Sequence, residues 1–216
     1  LAIIGPPAQS FAVSSNIAET TDKGIYMQGI WDLPKWRFNL GVRYDKNSLY
    51  GSTINPRASG IWRVSDEFTV KLLYGTAFQE PAPTQLFGGW QGRAANPELA
   101  PEEMTNVELI LMYQTPQFLH DISLFRSSFK NVIKEDANNA GRRQSYGIEY
   151  RGKYSLPNLV PTLDDITGYF YYTYTKSYSD IFFDFSASEW IDGRKELGDI
   201  APHKINLGLN IPLAEQ

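Results

Sequence analysis

Apolar and polar residues alternate along this chain in segments of about ten residues. The clearest segment is 36–45, where one set of alternate positions is apolar and the other is mostly polar. The apolar set is Trp36, Phe38, Leu40, Val42 and Tyr44, and the other set is Arg37, Asn39, Gly41, Arg43 and Asp45. Because successive side chains of a β-strand point to opposite faces, this period of two predicts a strand with one face against an apolar medium.

The same pattern recurs and predicts an all-β, antiparallel fold of about nine strands. The expected strands are 24–32, 36–45, 56–64, 68–77, 104–113, 119–128, 144–154, 165–177 and 202–213. The connections between them would have about 3, 10, 3, 26, 5, 15, 10 and 24 residues, so short and long links largely alternate. Bacterial outer-membrane barrels have short turns on one side and long extracellular loops on the other. The sequence therefore predicts a transmembrane β-barrel segment with the links 46–55, 78–103, 129–143 and 178–201 outside the cell.

Composition excludes several classes of protein. Aromatic residues make up 14% of the chain, which suits strands and the aromatic girdles of membrane barrels. Cysteine is absent, so disulfides, thiolate metal sites and cysteine nucleophiles are excluded. The net charge of -4 and the lack of a basic cluster argue against nucleic-acid binding. The chain begins at Leu1 without a signal-peptide pattern, and we expect it to be an internal piece of a larger protein.

Four sequence runs carry a family resemblance. They are Gly41-Val42-Arg43-Tyr44-Asp45, Asn55-Pro56-Arg57-Ala58, Tyr74-Gly75-Thr76-Ala77-Phe78-Gln79-Glu80-Pro81 and Asn96-Pro97-Glu98-Leu99-Ala100-Pro101-Glu102. Together they resemble motifs of the TonB-dependent receptors, the ligand-gated transporters of Gram-negative outer membranes. Gln79-Glu80 departs from the Arg-Ala that is usual in that family. The resemblance covers about residues 24–213.

The resemblance implies that residues 1–216 are part of a barrel of about 22 strands with a plugged lumen. It implies a receptor that imports a scarce nutrient, with a ferric siderophore favoured among ligands because such receptors are numerous. The expected partners are the nutrient, the protein's own plug domain, the TonB complex and outer-membrane lipid. The plug and the TonB-contacting segment are expected outside this sequence. No cofactor is expected.

The candidate ligand-binding residues lie in the central excursion, where long loops commonly carry function. They are Phe87, Trp90, Gln91 and Arg93. A tryptophan and an arginine in such a loop can stack on or clamp a ligand, although packing within the loop is equally compatible with these residue types. Asn96 and Pro97 are expected to fix the return of the loop into the next strand. The family's haem receptors usually carry a histidine in this region, and residues 79–95 contain none.

Signals of catalysis are weak. The pairs Glu102-Glu103 and Asp164-Asp165 are interpreted as solvated surface charges, and no nucleophile elbow, P-loop or zinc-protease motif is present. His120 and His203 are too few for a histidine metal site, and His203 is interpreted as an interface residue. The charged residues expected on the inward face are interpreted as a hydrated, salt-bridged wall: Arg37, Arg43, Lys71, Glu108, Glu149, Arg151, Lys153 and Lys204.

Two alternatives remain open at this level. One is a soluble extracellular β protein that binds or cleaves carbohydrate, with aromatic loops stacked on sugars. The other is a structural barrel without transport, which would lack a plug domain. A soluble sheet would bury one face and would carry no belt of Tyr and Trp at its strand ends.

Overall fold

Ten strands form one antiparallel sheet in the computed structural model of this chain. The structure describes residues 19–87, 95–133, 138–139, 141–157, 166–184, 186–198 and 200–212. The strands are β1 (Asp22–Asp32), β2 (Trp36–Asn47), β3 (Gly51–Arg63), β4 (Phe68–Gln79), β5 (Glu102–Gln114), β6 (Phe118–Lys130), β7 (Arg143–Leu156), β8 (Ile166–Asp184), β9 (Glu189–Glu196) and β10 (His203–Asn210). The fold class expected from the alternation is confirmed, because each strand up to β8 pairs with the next.

Strands β9 and β10 lie end to end along the same edge of β8. Residues 178–184 of β8 pair with β9, and residues 167–174 of β8 pair with β10. The sequence placed a loop at 178–201, and that expectation is corrected here: β8 continues to Asp184 and returns as β9. The aromatic and β-branched residues between Tyr178 and Ile191 favour this hairpin over a loop.

The links lie at two ends of the sheet. Residues 33–35, 64–67, 115–117 and 157–165 connect strands at one end, called here the short-turn end. Residues 48–50, 80–101, 131–142 and 185–188 connect strands at the other, called the long-link end. The expected link at 46–55 is wrong in length, since β2 and β3 extend to a tight turn at 48–50 that is followed by Gly51 at a φ of 90°. Only glycine adopts that backbone conformation without strain.

The two faces of the sheet differ sharply. Cross-strand register places one set of side chains, called the apolar face, in continuous rows from β1 to β10. Large apolar side chains are exposed there, such as Met27 and Leu207 at 72% each. The opposite face, called the polar face, carries charged, hydroxyl and amide side chains. Water is a poor solvent for the first face, so the sheet is built to place it against an apolar medium.

Aromatic rings gather on the apolar face toward the short-turn end. Trp36 stacks on Trp62 with ring centroids 5.2 Å apart, and Phe118 meets Tyr154 edge-on at 6.0 Å. Their strands end within a few residues of these rings. This arrangement matches the aromatic girdle expected where a strand leaves the hydrocarbon layer.

The pairing between β3 and β4 stops before either strand ends. The ladder runs from Arg63 to Arg57 on β3, although β3 pairs with β2 as far as Gly51. Pro56 explains the stop. Its carbonyl accepts a hydrogen bond from the Thr76 hydroxyl at 3.3 Å, so the same edge of Pro56 faces β4 and offers no N–H there. Pro56-Arg57 was expected to start a strand. In the structure β3 already begins at Gly51, and Arg57 is where its pairing with β4 begins.

Helix plays little part in the described residues. The helix among them, α1 (Pro83–Phe87), has five residues and lies in the link between β4 and β5. Within the described ranges, no helix has the length and apolar character needed to span a membrane.

Candidate functional site

The central excursion, residues 80–101, is fastened to the sheet where it begins. The Tyr50 hydroxyl, in the turn between β2 and β3, hydrogen-bonds to the Glu80 carboxylate. The Tyr50 ring lies 6.4 Å from the ring of Phe78 at the end of β4. Burial of the phenol and its bond to Glu80 raise the pKa of Tyr50 above its ordinary value of 10.0. The neutral phenol therefore acts as a fixed donor that holds the start of the excursion.

The return of the excursion is fixed by Asn96. Its side-chain oxygen accepts the backbone N–H of Glu98 at 2.9 Å, and its own N–H donates to the Gln85 carbonyl at 2.9 Å. The first contact is an Asx turn, which bends the chain toward Leu99. The predicted role of Asn96 in loop re-entry is therefore supported by its bonds to α1 and to the turn.

A small apolar core lies at the long-link end. Leu99 is 1% exposed and Leu86 3%, and Phe87 and Ile133 pack against them. These four residues come from both long links, the excursion and residues 131–142. Apolar burial therefore joins the two links into one platform above the sheet.

Polar contacts reinforce that platform. The Asn139 amide donates to the carbonyls of Ala100 and Asn131 at 2.8 and 2.9 Å, and its oxygen accepts the Ala100 N–H at 2.7 Å. The Glu102 carboxylate accepts the Ile133 N–H at 2.7 Å. The sequence analysis missed both roles, because the partners are about 30 to 40 residues apart and no periodicity reports a loop contact.

The predicted ligand-binding residues divide into two groups. Phe87 ends α1 and is half-buried against Leu86 and Leu99, so part of its ring area is used in packing. Trp90, Gln91 and Arg93 lie outside the described residues, in the range 88–94. Ligand contact by all four stays a prediction.

The polar face is held by ion pairs and hydroxyl bonds. Arg151 on β7 makes two parallel bonds of 2.8 Å to Asp121 on β6, whose side chain is 3% exposed. Arg43 bonds in the same bidentate way to Asp45. Ser123 donates to Glu108 at 2.5 Å, and Ser127 donates to Asn106 at 2.7 Å. The expected salt-bridged wall is thus present for part of the inward set.

Several cations of the polar face have no carboxylate within ion-pair distance among the described residues. Register places them on this face, and they are Arg57, Lys71, Arg143, Lys153 and Lys204. Glu102 and Glu108, by contrast, are already engaged by a backbone N–H and a hydroxyl, while Glu149 has no such partner among the described residues. The polar face therefore offers more uncommitted positive than negative charge.

The histidines lie on the apolar face. His120 contacts the Tyr150 hydroxyl at 2.7 Å and His203 contacts the Tyr172 hydroxyl at 2.9 Å. The described residues contain no group of three His, Cys, Asp or Glu side chains that could hold a metal ion. Glu102 and Glu103 point to opposite faces, and Asp164-Asp165 lies outside the described residues.

Comparison with known proteins gives a consistent result. A family model described as TonB dependent receptor-like, beta-barrel matches residues 2–212. The chain is 32% identical over 117 residues to the iron-regulated outer membrane virulence protein of Vibrio cholerae. This alignment covers 50% of this chain and 18% of that protein. The chain is 30% identical over 93 residues to the vitamin B12 transporter BtuB of Photobacterium profundum, which covers 43% and 15%.

Solved structures share the fold. The siderophore receptor PirA from Pseudomonas aeruginosa superimposes with a TM-score of 0.66 at 21% identity, over 92% of this chain and 41% of that chain. The outer membrane transporter YddB from Escherichia coli gives a TM-score of 0.70 at 11% identity, over 89% and 31%. At such identities the likeness concerns the fold alone. This chain spans less than a fifth of the curated relatives it matches.

Proposed function

Because the chain belongs to the TonB-dependent receptor-like β-barrel family and is an outer-membrane protein, we propose that the full-length protein imports a scarce nutrient and that the nutrient is a ferric siderophore. The relative from Vibrio cholerae, named for its regulation by iron, is the observation that carries the siderophore proposal. The family assignment replaces the interpretation as a carbohydrate-binding or carbohydrate-cleaving protein.

The charge of the polar face supports this choice of ligand. Catecholate and carboxylate siderophores bind iron through anionic oxygen groups whose charge exceeds that of the iron, so their complexes carry net negative charge. A wall with uncommitted cations such as Arg57, Lys71 and Arg143 would attract such a complex. The predicted ligand contacts Trp90 and Arg93 belong to the same link as Leu86 and Leu99, which form the core of the platform.

Transport, in this proposal, makes no chemical bond. The sheet from Asp22 to Asn210 would form part of the barrel, and a plug domain elsewhere in the protein would fill its lumen. The inner-membrane TonB complex would pull on that plug, using the proton-motive force. The long-link end would then face outside the cell, and the excursion 80–101 would form part of the ligand vestibule.

A cobalamin is the second candidate ligand. The relative from Photobacterium profundum is named a vitamin B12 transporter and is nearly as similar over a shorter segment. Cobalamin carries no comparable negative charge, so the cations of the polar face favour the siderophore.

The test is uptake by cells that produce the full-length protein as their sole candidate importer. Iron-55 bound to a panel of catecholate, hydroxamate and carboxylate siderophores would be compared with cobalt-57-labelled cobalamin. We expect iron uptake that a protonophore abolishes while surface binding persists. Cobalamin uptake alone would overturn the siderophore proposal. Uptake indifferent to the protonophore, or a gene without a plug domain, would overturn gated import.

A paired set of variants tests the site. Trp90→Ala with Arg93→Gln is expected to weaken siderophore binding about tenfold or more, the usual effect of removing an aromatic and an arginine anchor. Arg63→Gln, at the short-turn end of β3, is the control and is expected to bind within twofold of wild type. Equal affinities for all three proteins would exclude Trp90 and Arg93 from the site.

A further inference from the structure

Charged residues on the apolar face are confined to one end. Within β1 to β7, β10 and β8 as far as Tyr178, all its lysines, arginines and carboxylates lie toward the long-link end. They are Lys23, Lys46, Glu103, Arg126, Lys130 and Lys176, and Asp180 and Asp184 follow at alternate positions of β8 beyond them. A barrel face in contact with hydrocarbon alone would carry none of them, because each lysine or arginine at the bilayer midplane costs about 2–4 kcal/mol. These residues therefore mark the level at which the outward surface leaves the hydrocarbon layer.

Five of the residues at this level form a continuous cluster, called here the basic patch: Arg126, Tyr146, Lys176, Tyr178 and Arg194. Tyr146 lies directly between Arg126 and Lys176 in the strand register. The rings of Tyr146 and Tyr178 stack at 5.9 Å. The Arg194 guanidinium lies 4.3 Å from the centre of the Tyr178 ring. The patch thus crosses β6 to β9 without a gap.

The basic patch adjoins the hydrocarbon-facing surface. Two residues along their strands from Arg126, Tyr146 and Lys176 lie Leu124, Ile148 and Tyr174, which pair with one another in the next row. A molecule bound at the patch can therefore hold its charged part on the basic residues while its apolar part follows the sheet. That combination describes a lipid.

The positive charge of the patch is largely uncommitted. Arg126 and the nearby Lys130 have no ion pair or hydrogen bond within the part of the chain that the structure describes. Lys176 lies 3.3 Å from Glu196, and this is an exposed pair, with 32% and 46% of the side chains accessible. Exposed pairs contribute little and exchange partners readily. The patch has three cations, and among the described residues Glu196 is the carboxylate within ion-pair distance of any of them, so the patch is net positive.

We propose that the basic patch binds the phosphate group of an anionic lipid in the membrane leaflet at the long-link end. Arginine presents a planar fork of N–H donors that matches a phosphate, and the Tyr178 hydroxyl, which accepts the Tyr146 O–H at 3.4 Å, adds a donor at its edge. Basic residues at a membrane surface each contribute attraction of about 1 kcal/mol to anionic lipid. The proposal rests on the outer-membrane location and is independent of which nutrient is transported.

The test measures lipid binding to the full-length protein in detergent by native mass spectrometry. The probes are phosphatidic acid, whose headgroup is a phosphate monoester, and phosphatidylcholine, whose headgroup has no net charge. Arg126→Gln with Arg194→Gln is expected to weaken phosphatidic acid binding about tenfold or more, because two surface cations are lost. Phosphatidylcholine binding should stay within twofold of wild type.

The matched control is Arg143→Gln with Lys153→Gln. Both residues lie on β7, where they pair with Ser179 and Tyr169, and so they are on the opposite face of the sheet. The control removes the same net charge, and we expect it to bind phosphatidic acid like wild type. An equal loss in both double variants, no loss in the first, or an equal loss of both lipids would overturn the proposal.

A second measurement does not depend on folding of the variants. Raising sodium chloride from about 0.05 to 0.5 M should weaken phosphatidic acid binding to the wild-type protein, because salt screens exposed charges. Phosphatidylcholine binding should not change. Phosphatidic acid binding that is insensitive to salt would show that acyl-chain contact alone holds the lipid, which contradicts the proposal.

Discussion

Single residues at the long-link end show how a loop becomes a platform. Tyr50, Asn96, Asn139 and Glu102 each fix one part of the links by a side-chain bond. Asn96 was predictable because an Asn-Pro step acts on its own neighbours. The other three act across distances in the chain that no local pattern encodes. Residue-level prediction therefore succeeded where a side chain bonds its own turn and failed where it bonds another link.

Tyr50 should ionise later than ordinary tyrosines. Its pKa is raised by burial and by the bond to Glu80, so the folded state keeps the proton that an unfolded chain releases near pH 10. The associated stability is fully present below pH 10 and is lost as pH rises through the folded-state pKa. The check is a pH titration of tyrosinate absorbance for the wild type and for Tyr50→Phe. The variant should lack the absorbance change of one tyrosine, and only in the most alkaline part of the curve. A loss near pH 10 would contradict the assignment.

Breaking the pair of Asp121 and Arg151 should destabilise the sheet. The Asp121 side chain is only 3% exposed, and Arg151→Met removes the cation that pairs with its carboxylate. Because the Arg151 side chain is 58% exposed, the full cost of a buried unpaired charge is reduced, and we expect about 1–3 kcal/mol. Urea unfolding of the full-length protein in detergent would measure it.

Two comparisons check that interpretation. Arg143→Met, on the same strand and face, should cost less than about 0.5 kcal/mol, since Arg143 has no carboxylate partner among the described residues. Asp121→Asn combined with Arg151→Met should recover part of the loss. Equal destabilisation by both arginine variants would assign the effect to packing.

Whole elements were predictable where one face meets an apolar medium. Strands β1 to β8 and β10 follow the alternation, because a slip of one residue would turn every apolar side chain to the wrong face. The ends of β2, β3 and β8 and all of β9 were missed. At the long-link end both faces of a strand meet polar surroundings. The segments around Lys46, Ser52 and Glu196 therefore show no alternation of apolar and polar residues.

Replacing Pro56 should lengthen the ladder between β3 and β4. Pro56→Val supplies an N–H on the edge that faces β4 and removes the ring that ends the pairing. We expect slower amide hydrogen exchange at residues 76–79 and a gain of about 0.5–1.5 kcal/mol in stability. Pro116→Val, in the short turn at 115–117, is the control and should leave exchange at 76–79 unchanged. Unchanged exchange in both would show that something other than Pro56 ends the ladder.

At the scale of the whole molecule, the difference between the two faces determines which changes the sheet tolerates. Leu207→Arg places a charge on the apolar face and should cost about 2–4 kcal/mol in a lipid bilayer. Asn206→Arg, at the neighbouring position on the polar face, should be nearly neutral. Unfolding of the full-length protein from phospholipid vesicles measures both, and equal costs would contradict the assignment of faces.

The architecture was the most predictable property, and the ligand was the least. Period-two alternation at 36–45 and the grouping of long links at one end predicted a membrane-spanning antiparallel sheet. Ligand contact by Trp90 and Arg93 stays a prediction, because which loop side chains meet a ligand depends on tertiary contacts that no local pattern encodes. Alternation specifies which side of a wall a residue occupies, and it carries no information on which loop residues meet above that wall.

The early end of the ladder between β3 and β4 divides the rim of the barrel wall into two panels. On one side, β3 remains bonded to β2 as far as Gly51, and on the other, β4 remains bonded to β5 as far as Gln79. Beyond the pair of Arg57 and Gly75 no ladder bond joins the panels, and side chains join them instead: Tyr50 lies against Phe78 and meets Glu80. The cohesion of this part of the rim therefore depends on one phenol beneath the start of the excursion, where elsewhere it depends on backbone bonds.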